Sequence, residues 1–411
     1  MLIGTRLTRA FYNQLQIPGE DTLAGVFSAR RFVGWVNGDP EIVGDTTFTK
    51  EVHKSLTSYS DRNTCVIFGL GNVAVDCARI LLRSVEELSA TDIARSALET
   101  LKQSNVRKVL LIGRRGMAQA AFSPKELREL LQLPDVKVTV FDDALQAEDE
   151  EDLVTSRPRR RAVEAIRKAV DVGTDGDNKN LKELQIKFLR SPVALHGSPG
   201  GDDGRSVRTA VRSVTLEVNQ LVGKSGNRKA TGTGATETVD KIAVALRSVG
   251  YKSTSGCVNE SESDAVSNIN GYTRTLVPFD AEKGIVPNSL GRVQQVVSAG
   301  MGGGAWFVPG VYVCGWLKRG PKGIIGDNLV CATETVVSLV QDDEKGKLRR
   351  PDYRFRNKGI LPSLLSKGVE VVDVEGWHKI DLLERQRGAA VGKPREKIVA
   401  KREMLQVARG E

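Results

Sequence analysis

No run of apolar residues in this chain approaches the ~18–20 needed for a helix that spans a bilayer. Aromatic residues make up only 5% of it, too few for the rows of base-stacking rings that single-stranded nucleic acid prefers. Five cysteines, Cys65, Cys77, Cys257, Cys314 and Cys331, are scattered and odd in number, and no CxxC occurs. That pattern is neither a disulfide framework nor a zinc site, and it fits a reducing compartment. Only three histidines are present, His53, His196 and His378, far apart and expected as surface or satisfied core residues. No internal repeat is visible.

What is present describes an ordinary globular protein with an excess of positive charge. The length of 411 residues suits two or three domains. Apolar residues make up 40% and charged residues 27%. Sixty Lys and Arg against 51 Asp and Glu give a net charge of +9, which draws acidic partners of any class. A nucleic acid is set aside, because no recognition motif accompanies the charge. The opening "MLIGTRLTRAFYNQLQ" has two arginines and no acid before Glu20. It reads either as a mitochondrial transit segment or as a strand and loop opening a domain.

Along the chain, strands alternate with helices early and with other strands late. A short helix is expected around Ser28–Val36, and residues 42–60 read as polar and connecting. A strand Val66–Phe68 runs into a helix from about Asn72 to Leu82. "TDIARSALETLKQ" reads as a helix capped by Thr91, and Val106–Ile112 as a buried strand. "SPKELRELLQL" carries Ser123 as cap, Pro124 at its first position and Glu126 three residues after the cap, a capping box. A strand Val136–Phe141 follows, then an acidic run Glu148–Asp152 and a basic one, Arg157 and Arg159–Arg161, read as a solvated loop leading into a charged helix. "LQIKFLRSPVAL" and "SVRTAVRSVTLEVNQL" look like an antiparallel meander, which "VDKIAVALRSVGYKS" closes. Residues 253–272 and 298–306 read as inserted, structureless loops, and "LVPFDAEKGIVPN" between them as a hairpin. "GVYVCGW" is a buried strand, "PKGIIGDNLVCATETVVSLVQD" becomes a long helix, and the tail from about Gly368 is basic and turn-rich.

The most informative stretch is "CVIFGLGNVAVDCARILL", in which an apolar strand meets Gly69-Leu70-Gly71-Asn72-Val73-Ala74 and an amphipathic helix follows. That is a dinucleotide phosphate cradle in its required context. Gly69 permits the tight turn, Gly71 keeps side chains away from a pyrophosphate, and Ala74 lets helix and strand pack closely. The helix N-terminus offers N–H groups and partial positive charge. An NAD site places an acid at the end of the next strand. Here that strand ends in Gly113-Arg114-Arg115-Gly116, and two guanidinium groups suit the 2′-phosphate of NADPH. A second stretch, "YVCGWLKRGPKGII", combines a strand, a glycine turn and a helix start. Trp316 offers a flat wall for a flavin ring, and the N–H groups around Gly323, Ile324 and Ile325 offer donors at a helix N-terminus. A purely structural tryptophan reads equally well there.

Taken in order, "IPGED", "GVFSARRFVGWVNGDPE", "GLGNVAVDCARILL", "LLIGRRGMAQAAFSPKELRELLQLP", "SVGYKS", "GIVPNSLGRV", "GWLKRGPKGII" and "GKPREK" resemble the adrenodoxin reductase family, mitochondrial NADPH–ferredoxin reductases with FAD. The resemblance runs from about Ile17 to Met404. It implies an α/β fold: a Rossmann-like NADP-binding domain with an inserted β meander, plus the C-terminal part of a second Rossmann-like, FAD-binding domain. The expected division is residues 1–250, the NADPH-binding domain with its connecting segment, and 251–411, the FAD-domain portion. Carried over position by position, Leu70, Gly71, Asn72 and Val73 would hold the NADPH phosphates, Arg114 and Arg115 the 2′-phosphate, and Glu126 would contact NADP. Trp316, Gly323, Ile324 and Ile325 would contact the flavin. No metal and no side-chain nucleophile or base is implied, because the cofactors carry the chemistry.

The family also implies an acidic 2Fe–2S ferredoxin as partner, steered by a basic face. Lys318, Arg319 and the Arg157–Arg161 cluster are its candidates. It implies the mitochondrial matrix, with at most peripheral association with the inner membrane. The chain departs from the family at its start, which comes after the family's N-terminal FAD fingerprint. The C-terminal strands are therefore expected to expose an apolar edge and face. A second reading, a short form that binds NADPH without flavin and without catalysis, stays open beside the reductase.

Overall fold

The computed structural model describes residues 2–3, 10–12, 14–141, 153–154, 156–171, 181–197, 208–253, 278–297, 304–320, 325–348 and 361–411. They divide into two units. One comprises Gln14–Val249 and Val371–Glu411, the other Met1–Asn13 and Gly250–Glu370.

The first unit is built on a six-stranded, all-parallel sheet in the order Val26–Ser28, Ile242–Arg247, Thr64–Phe68, Lys108–Ile112, Lys182–Lys187, Val136–Val140. Its central strands are near-continuous apolar runs because both faces are covered. Side chains alternate across the sheet. Cys65, Ile67, Val109 and Leu111 face a core shared with Phe32, Trp35, Val52, Leu56, Leu81 and Leu127, all from helices. Val66, Phe68, Leu110 and Ile112 face a second core shared with Leu195, Val211, Val214 and Leu216. Those partners come from an antiparallel meander, Arg190–Gly197, Val211–Val222 and Lys229–Val239. The layers are therefore helices, parallel sheet and β meander.

Several expectations are corrected. "LQIKFLRSPVAL" is two strands in two sheets, since Lys182–Lys187 pairs in parallel with Lys108–Ile112 and only Arg190–Gly197 enters the meander. Residues 42–60 contain a helix, Thr46–Thr57, capped by Asp45, whose Oδ1 accepts from Phe48 N at 3.0 Å. It buries Phe48, Val52 and Leu56, a four-residue spacing hidden among polar neighbours. The helix assigned to Thr91 starts later, at Arg95. Thr91 instead donates to Leu88 O at 2.7 Å. The tail from Gly368 holds the helices Val374–Ala389 and Lys401–Arg409. The first of these buries Gly376, Asp381, Glu384 and Gly388 rather than an apolar stripe, so no hydrophobic periodicity marks it. Arg395 bridges Asp381 and Glu384 at 2.8 and 2.9 Å, and Ile398 N donates to Glu384 at 3.0 Å.

The second unit carries a four-stranded sheet, Leu2–Ile3, Gly304–Val313, Arg292–Val297 and Asn288–Ser289. The N-terminal residues thus form strand: Leu2 and Ile3 pair in parallel with Tyr312 and Val313, and Ala10–Tyr12 pairs with Tyr251–Ser253. Part of the expected loop 298–306 is also strand, with Ala305 and Trp306 opposite Val296 and Gln295. Residues 254–277 and 298–303, and the acidic run 148–152, lie outside the described residues. The helix Ile325–Glu344 is tied to this sheet by Asp342, which accepts from Arg292 Nε at 2.6 Å and Tyr312 OH at 2.9 Å. The Arg292 guanidinium holds the Asp342 carboxyl below the usual carboxylate range. The expected apolar edge is covered at Tyr312–Val313 by Leu2–Ile3. Apolar exposure remains on the strand Gly304–Val313, at Trp306 and Phe307, and is also found on that helix, at Leu329, Val330, Val336, Val337 and Val340. Among the described residues no helix is long and apolar enough to cross a membrane.

Lys182 caps the C-terminus of the helix Asn72–Leu82, donating to Leu81 O at 2.8 Å and Arg83 O at 3.1 Å. Burial, then the charge of Arg107, pushes its ammonium down to about 8, against some support from Glu86. Its proton is therefore held less tightly in the folded than in the unfolded chain, and stability should rise with pH between about 8 and the ordinary 10.5. Urea unfolding across that range should show the rise in the native chain and its loss in Lys182→Met.

Candidate dinucleotide-binding sites

The cradle lies just beyond the aligned strand ends Phe68, Ile112 and Arg247. Gly69 N donates to Ile112 O at 2.8 Å, and Ser248 N to Phe68 O at 2.7 Å. Gly69 turns with φ +117°, and a Cβ there would collide with the Ser248 carbonyl. Only glycine satisfies both constraints. The Leu70 side chain lies across Gly113, where a Cβ would strike it. Gly71 differs: its φ is −122° and a Cβ there meets nothing within 4 Å. The protein itself does not require glycine at 71. The open space lies at the N-terminus of the helix Asn72–Leu82, where the helix dipole favours a phosphate. Ala74 is fully buried under the turn, and Val73 is exposed at its mouth. These residues fit a dinucleotide pyrophosphate.

A second helix start closes on the same place. Ala121 N donates to Leu70 O at 2.9 Å, and Ser123 N donates to Asn72 Oδ1 at 2.8 Å. The expected capping box is therefore half made. Ser123 Oγ accepts from Glu126 N at 3.4 Å, but Asn72 occupies the Ser123 N–H that Glu126 would have taken. Glu126 Oε2 is left buried without a hydrogen-bond partner among the described residues. Burial pushes the neighbouring Asp76 carboxyl up; Arg79 opposes this, and Glu126 and Glu129 add to it.

Arg114 and Arg115 are exposed beyond the strand Lys108–Ile112, with no acid paired to either guanidinium among the described residues. Burial of its base and the charges of Arg114 and Arg159 push the Arg115 guanidinium below its ordinary value. This concentration of unneutralised positive charge is poised for a dianion. The loop that carries the pair is held from the meander side. Arg190 N donates to Gly113 O at 2.9 Å, Asn219 Nδ2 to Arg114 O at 2.9 Å, and Leu189 N to Arg115 O at 3.2 Å. Sequence reasoning missed Leu189 and Asn219, because both reach the loop from far along the chain, Asn219 from 105 residues away. No local signal marks them.

No family model matches the chain. It is 40% identical over 398 residues to the mitochondrial NADPH:adrenodoxin oxidoreductase of Arabidopsis thaliana, covering 96% of this chain and 74% of that protein. This chain belongs to the NADPH:adrenodoxin oxidoreductase family. The human mitochondrial protein of that name is 38% identical over 406 residues, covering 96% of this chain and 72% of its own. The structure of Mycobacterium tuberculosis FprA in complex with NADPH matches with a TM-score of 0.74 at 31% identity, over 97% of this chain and 76% of that one. The α/β, Rossmann-like fold class expected of an adrenodoxin oxidoreductase family member is the one observed.

The second site of this family member is described in part. Trp316 is half-buried at the start of a short turn of helix, Trp316–Arg319, between Gly315 at φ 66° and Gly320 at φ 80°. Both glycines adopt backbone that other residues rarely do. Ile325 opens the long helix, whereas Gly323 and Ile324 lie outside the described residues. Of the residues expected at the flavin, only the Trp316 side chain is described. Lys318 is corrected as a docking residue: it is buried, and its Nζ bonds Cys331 O, Thr335 Oγ1 and the Glu334 carboxylate. Arg319 is engaged by Asn328 Oδ1 at 2.6 Å. The described cysteines, Cys65, Cys77, Cys314 and Cys331, are free.

Two glycines of one cradle should respond differently. Gly69→Ala should cost about 2–4 kcal/mol in denaturant unfolding, through strain and collision. Gly71→Ala should stay within about 0.5 kcal/mol of the native chain and weaken dinucleotide binding instead.

Proposed function

We propose that this protein is an FAD-dependent NADPH–ferredoxin oxidoreductase. The observation that carries the reading is the pair of guanidinium groups, Arg114 and Arg115, with no acid partner among the described residues and one strand away from an open glycine cradle. Leu70, Gly71, Asn72 and Val73 would receive the pyrophosphate of NADPH, with the Asn72 carbonyl already engaged and its NH2 free to donate. Glu126, whose Oε2 has no hydrogen-bond partner among the described residues, would accept from a hydroxyl or amide of the nucleotide. Trp316, Gly323, Ile324 and Ile325 would contact FAD. When bound, the two cofactors would supply the redox chemistry, hydride transfer between nicotinamide and flavin and single-electron delivery to an iron–sulfur partner. The chain's own work is to align the cofactors and set the charge around them.

The electron acceptor in this reading is an acidic 2Fe–2S ferredoxin. Exposed Arg157, Arg160 and Arg161 on the helix Arg157–Asp171 and exposed Lys125 and Arg128 on Pro124–Leu131 form a basic face that supports it. The relatives' mitochondrial names support a place in the mitochondrial matrix, with at most peripheral membrane contact. A second reading, NADPH binding without flavin or catalysis, is favoured by one observation. Leu329 and Val330, at the start of the helix that would face the flavin, are 73% and 72% exposed.

Arg114→Ala with Arg115→Ala should weaken NADPH binding about 10–100-fold and leave NADH nearly unchanged, measured by fluorescence titration. Equal loss for both coenzymes would refute the 2′-phosphate role. The two readings separate on a visible absorption spectrum after incubation with FAD. A bound flavin band that NADPH bleaches, and that Trp316→Ala perturbs without loss of NADPH affinity, is expected of the reductase. NADPH binding with no bound flavin would leave only the second reading.

A further inference from the structure

The arginine loop is clamped in an unusual way. Its three successive carbonyls, Gly113, Arg114 and Arg115, are each taken by a donor from the meander side, at 2.9, 2.9 and 3.2 Å. With all three fixed, the loop cannot rotate its peptide planes, and the two side chains must leave it in fixed directions. The Asn219 side chain supplies the bond to Arg114 O. The backbone N–H at the same position, which any residue but proline would keep, donates to Leu189 O at 2.8 Å and so holds the residue that donates to Arg115 O.

Leu189 is held at some conformational cost. It is buried, it is not glycine, and its φ is +53°. The left-handed backbone points its N–H at Arg115 O while its carbonyl faces Asn219. Side chains rarely sit in that region unless surrounding structure compels them. Asn219 is itself buried, and its Nδ2 divides its two protons between Arg114 O and Ser191 Oγ at 2.8 Å. Packing alone does not call for a carboxamide there. An apolar residue would fill the space, but it would leave Arg114 O without its donor.

We infer that Asn219 is a positioning residue that sets coenzyme preference: from the inserted meander it fixes the loop that aims Arg114 and Arg115 at a 2′-phosphate. This rests on the reading of that pair given above. Asn219 is buried behind the loop, against the Arg114 carbonyl. It acts on the geometry of the guanidinium groups, so its removal should be felt by a ligand with a 2′-phosphate and not by one without.

The test compares binding of adenosine 2′,5′-bisphosphate and 5′-AMP by isothermal titration calorimetry, which needs no flavin and no turnover. Asn219→Asp keeps the size and can accept from the Ser191 hydroxyl, reversing the native bond in which Asn219 Nδ2 donates to Ser191 Oγ, but it offers Arg114 O no donor. It should lose about tenfold in affinity for the bisphosphate and less than about twofold for AMP. Ser191→Ala, which spares the loop contact, should change neither. Because Asn219→Asp buries a charge, Asn219→Ala is measured beside it, with circular dichroism as the check on folding. Equal losses for both ligands in Asn219→Ala would mean a merely structural role and overturn the inference, as would no loss for either. The Arg114→Ala, Arg115→Ala variant separates the two failures. If that variant is selective and the Asn219 variants are not, only the present inference falls. If that variant is not selective, the 2′-phosphate reading falls and takes this inference with it.

Discussion

The backbone at Gly69 constrains everything around the cradle. Its nitrogen finishes the parallel ladder on Ile112, and its left-handed turn then carries the chain past the Ser248 carbonyl with no room for a side chain. A bulkier residue would push the following helix away from the sheet. Ala74 would lose its place under the turn, and Asn72 would lose its reach to Ser123. Since Asn72 ties one helix start to another, the position of Glu126 is also set by that turn. A single permissive residue therefore fixes two helix N-termini and the orphaned carboxylate between them.

The legible parts of the fold were those governed by local rules. The strand–turn–helix of the cradle announces itself through apolar runs, two glycines and a small residue. Gly-Arg-Arg-Gly stands out because a strand end with two cations and no acid has few purposes. The helix after Ser123 was readable from its cap and its proline, but the other half of the capping box was not. Whether Glu126 reaches back depends on Asn72, which lies 51 residues away. The splitting of "LQIKFLRSPVAL" between two sheets was hidden for a related reason. Strand propensity is the same on either side of Leu189, and only the left-handed residue between them marks the change of sheet.

Where burial is polar, hydrophobic pattern fails altogether. The helix Val374–Ala389 shows its burial through Gly376, Gly388, Asp381 and Glu384. Its anchoring is ionic and close-packed: a Cβ at Gly388 would run into the Arg395 backbone, and two carboxylates converge on one guanidinium. An analysis based on apolar spacing sees only a charged tail there. Asn219 is a milder case, the one buried carboxamide in a strand whose other buried residues are apolar.

The route of the chain through its two units has a consequence for the order in which the molecule can be completed. The unit holding the cradle needs Val371–Glu411, yet another 121 residues, Gly250–Glu370, are made first. Lys393 Nζ donates to Ile93 O at 2.7 Å, and Lys397 pairs with Asp92 at 3.2 Å. These closures join a later-made part of the chain to an earlier one. On the ribosome the parallel sheet can assemble before Val371–Glu411 emerges, but the loop at residues 92–93 stays bare until that segment arrives. Until then the unit is a parallel sheet awaiting its seam.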